Sequence, residues 1–271
     1  MLIDTHSHVN MMVKKSFDTA LTSEELQSAQ KIIFDAELAD VKILINVGTS
    51  LVESLNCLEL AKHYRNNFAA IGIHPNDCTD TWRQELKQIA SFLPKAQENK
   101  VVGIGECGLD YHYEGYNKQQ QFDAFKAQIE LALEYDLALV VHNRDAGHDT
   151  LRVLEEYAKN KLRATIHCFS EDLPFAKQVI EWGYYLGIGG TVTYPKNIIL
   201  REVVTTVGIE HIVLETDAPF LPPQPYRGKQ NQPAYVAYVA TYLANLLNIS
   251  NEEVALKTTQ NAQKLFKLTN A

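Results

Sequence analysis

A chain of 271 residues that is 46% hydrophobic and 21% charged can bury a large core, which excludes a disordered polymer and allows one α/β barrel or two ordinary domains. Its 25 Lys and Arg against 33 Asp and Glu leave a net charge of −8, which argues against tracking along duplex DNA by phosphate neutralisation. Cys57, Cys78, Cys107 and Cys168 form no CxxC pair and read as free thiols of a reducing compartment, and no leader-like or membrane-spanning apolar run is present, so a cytoplasmic protein is expected.

The first apolar run, residues 2–6, feeds directly into His6-Ser-His8. A strand points residues two apart to one side, so the two imidazoles can share one ion; alone, the pair reads rather as two unrelated polar loop residues. Thr22-Ser-Glu-Glu25 opens a helix as a capping box and an amphipathic pattern carries it to about residue 40. Residues 42–47 predict a second strand and 51–65 a helix; 68–73 predict a third strand ending in His74, and 82–92 a helix. Residues 101–105 predict a fourth strand ending in Glu106, before a long helix over 118–135.

The unit then repeats. Residues 137–141 end in His142 and precede a helix over 149–159; 163–166 end in His167 and precede one over 173–182. Residues 184–188 end in Gly189-Gly190 before a helix over 198–207, and 211–214 end in Glu215-Thr-Asp217. A loop holding Pro219, Pro222, Pro223 and Pro225 leads to two closing helices, 234–247 and 251–268. Eight strands alternating with helices imply parallel pairing and predict a (β/α)8 barrel occupying residues 1–271 as a single domain. An open doubly wound sheet is the structural alternative, disfavoured because no Gly-rich turn follows the first strand.

In such a barrel the C-terminal strand ends meet on one face, where the chemistry sits. His6, His8, His74, Glu106, His142, His167 and Asp217 all fall at those ends, and five of the chain's nine histidines are among them. Imidazoles with carboxylates suit one or two divalent cations such as Mg, Mn or Zn, and Glu106 is placed to bridge two. Any one of these histidines taken singly reads as a satisfied core residue; the set does not.

These strand ends carry seven motifs: Ile3-Asp-Thr-His-Ser-His8, Gly72-Ile-His-Pro75, Gly103-Ile-Gly-Glu-Cys-Gly-Leu-Asp-Tyr111, His142-Asn-Arg-Asp145, His167-Cys-Phe-Ser170, Glu215-Thr-Asp-Ala-Pro219 and Arg227-Gly-Lys-Gln-Asn-Gln-Pro233. In that order, over essentially the whole length, the chain resembles the TatD-type metal-dependent deoxyribonucleases among the amidohydrolase-like barrels. The resemblance implies a two-metal site, with His6, His8, Glu106 and Asp217 around one ion and Glu106, His142 and His167 around the other. It also implies hydrolysis of DNA phosphodiesters from the 3′ end of single strands. Two positions depart from the family pattern: Asn143 stands where serine is usual and Glu171 where glycine is usual. Neither is a ligand position, and a changed contact near Arg144 or an added negative charge is expected to alter substrate preference.

Among the candidate catalytic residues, Glu106 bridges and Asp217 serves either as ligand alone or also as the base that takes a proton from water. His74, Arg144 and Arg227 are the candidate substrate contacts. Arg144 has the fork geometry for a phosphate, with an ion pair to Asp145 as the alternative; Arg227, with Lys229, is a cationic lip or a solvated loop; His74 holds a phosphate or has a structural role. Glu215 reads as support for Asp217 or as the ion-pair partner of an arginine, and Tyr111, Phe169 and Tyr226 as base-stacking or packing residues. His63, His112, His148 and His211 read as structural. The competing enzyme is a hydrolase of another ester, an amide or an aminoacyl-tRNA bond on the same barrel, and the competing non-enzyme is a metal-stabilised scaffold.

Overall fold

A computed structural model describes residues 1–14, 16 and 19–268. Eight parallel strands stand in sequence order: Leu2–Ser7 (β1), Val41–Val47 (β2), Asn67–Ile71 (β3), Val101–Asp110 (β4), Ala138–Arg144 (β5), Ala164–Ile166 (β6), Tyr185–Ile188 (β7) and Ile212–Leu214 (β8). Each neighbour pairs with the next, and the ring closes where Ser7 bridges Ala218 and the His8 N–H donates to the Ala218 carbonyl at 2.8 Å. The molecule is therefore a nearly closed (β/α)8 barrel, and the open doubly wound sheet is excluded.

Between the strands run Ser23–Leu38 (α2), Leu51–His63 (α3), Trp82–Ala90 (α4), Lys118–Glu134 (α5), Gly147–Tyr157 (α6), Leu173–Glu181 (α7) and Ile198–Val207 (α8); Val236–Leu247 (α9) and Asn251–Phe266 (α10) close the chain. Local chemistry sets several starts. Thr22 accepts the Glu25 N–H while the Glu25 carboxylate accepts the Thr22 N–H, and the Ser50, Asp172 and Ser250 side chains accept the N–H groups of Glu53, Phe175 and Glu253 at the starts of α3, α7 and α10. One short helix, Val9–Val13 (α1), follows His8 without any sequence signal for it.

Helices and outer strand faces form one apolar layer, and a second cluster fills the barrel axis. Ile3, Ile43, Ile45, Val140 and Val213 meet Leu265 and Phe266 there. Thr259 donates to the Met1 carbonyl, and Asn261 to the Ile209 and Ile212 carbonyls, so α10 plugs the end where strands begin.

Strand β4 runs to Asp110, five residues beyond the end that the sequence predicts at Gly105. Gly105 and Gly108 lie inside the strand at φ of +140° and +148°. A Cβ on Gly105 would come within 2.6 Å of the Val140 carbonyl, and one on Gly108 would strike that of His142. Glycine here permits close pairing with β5. Between Ile104 and Cys107 the register slips by one residue against β5, from Leu139 to Val141, so Glu106 rides on a bulge that re-aims its side chain.

Candidate metal centre

The same device serves β1. Asp4 pairs with Leu44 and Ser7 with Asn46, three steps against two, which places His6 in a bulge. His6 and His8 thereby converge, their Nε2 atoms 3.1 Å apart. His8 Nδ1–H donates to the Val47 carbonyl at 2.7 Å, which leaves the lone pair of the neutral ring on Nε2, facing inward. Beneath them the buried Asp4 carboxyl accepts the His6 and Thr216 N–H groups on Oδ1 and engages the Thr216 hydroxyl on Oδ2, tying β1 to the end of β8. Burial pushes Asp4 up to about 8. One residue past Thr216, Asp217 adopts the left-handed φ of 58°, which turns its carboxylate to within 3.3 Å of His8 Nε2 and 3.8 Å of His6 Nε2.

Glu106, 4% exposed, stands at the centre. Its two oxygens face different partners. Oε2 lies 3.4 Å from His6 Nε2 and 3.8 Å from His8 Nε2, while Oε1 lies 2.7 Å from His142 Nδ1, 3.7 Å from His74 Nε2 and 3.9 Å from His167 Nε2. Burial alone would raise this carboxyl, but the surrounding imidazoles, His6 foremost, outweigh it and hold it well below the usual range.

His142 is held from both sides. Nδ1 meets Glu106, and Nε2 lies 3.1 Å from Asp110 Oδ2. Burial disfavours its charged form, yet the contacts with Asp110 and Glu106 prevail and raise it, while Asp110 is drawn down to about 2 against its own burial. Asp110 thus orients His142 from behind, with the other ring nitrogen turned to the centre. Sequence reading assigned no role to Asp110, although once β4 continues, Glu106 and Asp110 sit four apart along one strand.

His74 differs. Its Nδ1 accepts the Asn76 N–H at 3.1 Å, and burial pushes the ring down to about 3, so the neutral tautomer presents Nε2–H to the centre. It offers a donor, not a lone pair. The grouping of His74, Asp110 and His142 therefore supplies fewer ligands than its proximity implies, unlike His6–His8–Glu106 and His6–His167–Glu215, whose donor atoms also lie within 4.8 Å of one another.

His167 stacks on His6 with ring centres 3.5 Å apart, and its Nε2 is 3.7 Å from Asp217. Glu215 Oε1 is 2.9 Å from His167 Nδ1, out of line for a hydrogen bond, and accepts the Cys168 N–H at 2.6 Å. Burial would lower His167, but Glu215 and Glu106 raise it to about 10. Glu215 is thus buried directly against an imidazole, a closer part in the site than support for Asp217.

Above these groups opens a cavity of about 590 Å³ lined by His8, His74, Glu106, Asp110, His142, His167 and Asp217 together with Arg144, Tyr113 and Phe220. Arg144 reaches Tyr113, with Nη1 3.4 Å from the phenol oxygen, while Asp145 is paired with His112 at 2.8 Å. Arg227 does not line the cavity; its guanidinium lies over the Tyr194 ring at 4.5 Å. The sequence-nominated aromatic residues are spent on packing. Phe169 is buried, Tyr111 stacks on Tyr116 and donates to Asp149, and Tyr226 stacks on Tyr235. The two departures prove to be partners. Asn143 Nδ2 donates to Glu171 Oε1 at 2.7 Å and Thr150 donates to Asn143 Oδ1, while the Glu171 carboxylate packs on Gly147 at the start of α6. The added charge is thus turned toward a helix N-terminus.

Two further observations test whether a divalent cation suits this donor set. The buried His6 Nδ1 and Glu215 Oε2 have no hydrogen-bond partner among the described residues, and the Nε2 atoms of His6 and His8 point at one another beside a carboxylate. Converging imidazole nitrogens and carboxylate oxygens are the ligands Mn and Zn take, and Mg takes the oxygens. The residues fit. The sequence profile of the family described as TatD related DNase matches residues 3–267. This chain belongs to the TatD family.

Its relatives in that family extend over nearly its whole length. An uncharacterized metal-dependent hydrolase, YabD of Bacillus subtilis, is 36% identical over 268 residues, 99% of this chain and 100% of the relative. The 3′-5′ ssDNA/RNA exonuclease TatD of Citrobacter rodentium is 32% identical over 253 residues, covering 92% of this chain and 95% of the relative. The crystal structure of YjjV, a TatD homologue of Escherichia coli, superposes with a TM-score of 0.87 at 28% identity, covering 99% of this chain and 98% of that one. The chain is thus a metal-dependent hydrolase by family. Among the described residues no helix is long and apolar enough to cross a membrane.

Proposed function

We propose that this TatD-family barrel is a cytoplasmic, single-domain deoxyribonuclease that removes nucleotides from the 3′ end of single-stranded DNA. The observation that carries this reading is the division of Glu106, one oxygen toward His6 and His8, the other toward His142 and His167. Two divalent cations, Mg, Mn or Zn, would be held there, one by Glu106 with His6, His8 and Asp217 and the other by Glu106 with His142 and His167. When bound, such ions supply Lewis acidity, acidifying water and neutralising the phosphate's charge.

The chain's own groups supply the rest. Asp217 lines the cavity and supplies the carboxylate that accepts a proton from the attacking water. His74 Nε2–H and the Arg144 fork are donors for the non-bridging phosphate oxygens, and both line the cavity. Arg227, outside the cavity, is suited to strand further from the scissile bond. The name of the Citrobacter relative extends to RNA, so both nucleic acids belong in the test.

The test incubates the protein with 3′- and 5′-labelled single-stranded DNA and RNA, and with ester and amide substrates, in Mg, Mn, Zn or EDTA. Metal-dependent shortening from the 3′ end is expected. Turnover of esters, amides or aminoacyl-tRNA with no shortening of any strand would overturn the nuclease reading in favour of the other hydrolase.

A further inference from the structure

Two aromatic rings at the cavity mouth stand open to solvent. Phe220 is 48% exposed and Tyr113 is 55% exposed, and both line the cavity above Glu106. Phe220 is nonetheless firmly mounted. Its N–H donates to the Asp217 carbonyl at 2.7 Å, and its carbonyl accepts from Asn231 Nδ2 at 2.6 Å. Asn231 is itself buried, bonded also to the Thr216 carbonyl, and its N–H donates to Pro219. A clamped turn thus holds an apolar ring toward solvent three residues beyond Asp217. One edge meets the His8 ring at 6.1 Å, at an interplanar angle of 68°.

Tyr113 belongs to the loop after β4, and Arg144 at the end of β5 lies over it, with the guanidinium carbon 5.4 Å from the ring centre. In an eight-stranded ring in sequence order, the β4–β5 side lies across from the β8–β1 side. The mouth therefore carries one exposed ring on each flank, one beside His8 and Asp217 and the other beside a cation. Flat apolar faces flanking a phosphate-binding floor suit nucleobases, whose π-faces stack on aromatic rings whatever their sequence.

We propose that Phe220 and Tyr113 are the base-stacking walls of a nucleotide subsite. Phe220 receives the terminal base, and Tyr113 with Arg144 receives the neighbouring base and its phosphate. The inference rests on the nuclease reading and adds to it a specificity: the site requires a base and is indifferent to which one. Charge complementarity favours this occupant over an apolar peptide, because Arg144 and His74 present donors to an anion between the two rings.

The experiment uses the full chain in magnesium with short single strands carrying 2-aminopurine at the 3′ end and phosphorothioate linkages that resist cleavage. Binding to the unaltered protein is expected to quench the fluorophore. F220A should lose the quench and weaken binding about ten- to hundred-fold, F220W should restore both, and Y113A should weaken binding without removing the terminal quench. A strand with an abasic 3′ end should bind the unaltered protein and F220A alike. Cleavable strands report on the nuclease reading separately. Shortening without a quench, or F220A binding as the unaltered protein does, overturns the stacking walls and leaves the nuclease; neither quench nor shortening overturns both.

Discussion

The two ends of this barrel are built on opposite principles. Where strands begin, Leu265 and Phe266 of α10 pack against Ile3, Ile43 and Val140, an apolar plug with no chemistry in it. Where strands end, Asp4, His6, His8, Glu106, Asp110, His167 and Glu215 are all buried, and they are met by one another and by neighbours such as the Val47 carbonyl, Thr216 and the Cys168 N–H. Burying that many polar groups costs free energy that the plug and the outer helical layer must offset. Stability thus comes from the plug and the helical layer, and the far end is released to hold a demanding site.

Substitutions at the two ends should separate these properties. The largest effect is expected at Glu106→Ala, where metal-dependent turnover should fall on the order of 10³-fold or more with circular dichroism unchanged, since a preorganised charge is lost from the centre. Near-normal rates would remove the bridging carboxylate from the mechanism. At the other end, Phe266→Ala should cost about 3–5 kcal/mol in denaturant unfolding and leave the activity of the folded fraction intact. An activity loss without a stability loss would contradict the division between the ends.

Within the site, Asp110→Asn should weaken metal binding about 10–100-fold by calorimetry, because His142 loses the acceptor that orients it. Unaltered affinity would make Asp110 a bystander. The smallest effect belongs to neither end. Lys31→Ala on α2 breaks an exposed ion pair with Asp35, 2.7 Å long, and should change stability by about 0.5 kcal/mol or less and activity not at all.

What the sequence by itself determined is the alternation: short apolar runs ending in polar residues, capping residues and helical periodicity are local physics, and from them the eight strands follow in order. The strand-end positions of His6, His8, His74, Glu106, His142, His167 and Asp217 follow too, because a barrel carries every strand end to one face. Only the tertiary structure decided how those groups are used. The bulges at His6 and Glu106 depend on register against β2 and β5, and no window of sequence contains that register. Asp110 entered the site because β4 continued past Gly105, through Gly108, to residue 110. His74 became a donor through one backbone N–H, Asn143 found Glu171 across the gap between β5 and the loop after β6, and Phe220, not Phe169, was left facing the cavity. Each is a contact between segments distant in the chain or a choice of ring nitrogen. Composition and periodicity say which residues can bury, and the closed barrel decides what each one meets.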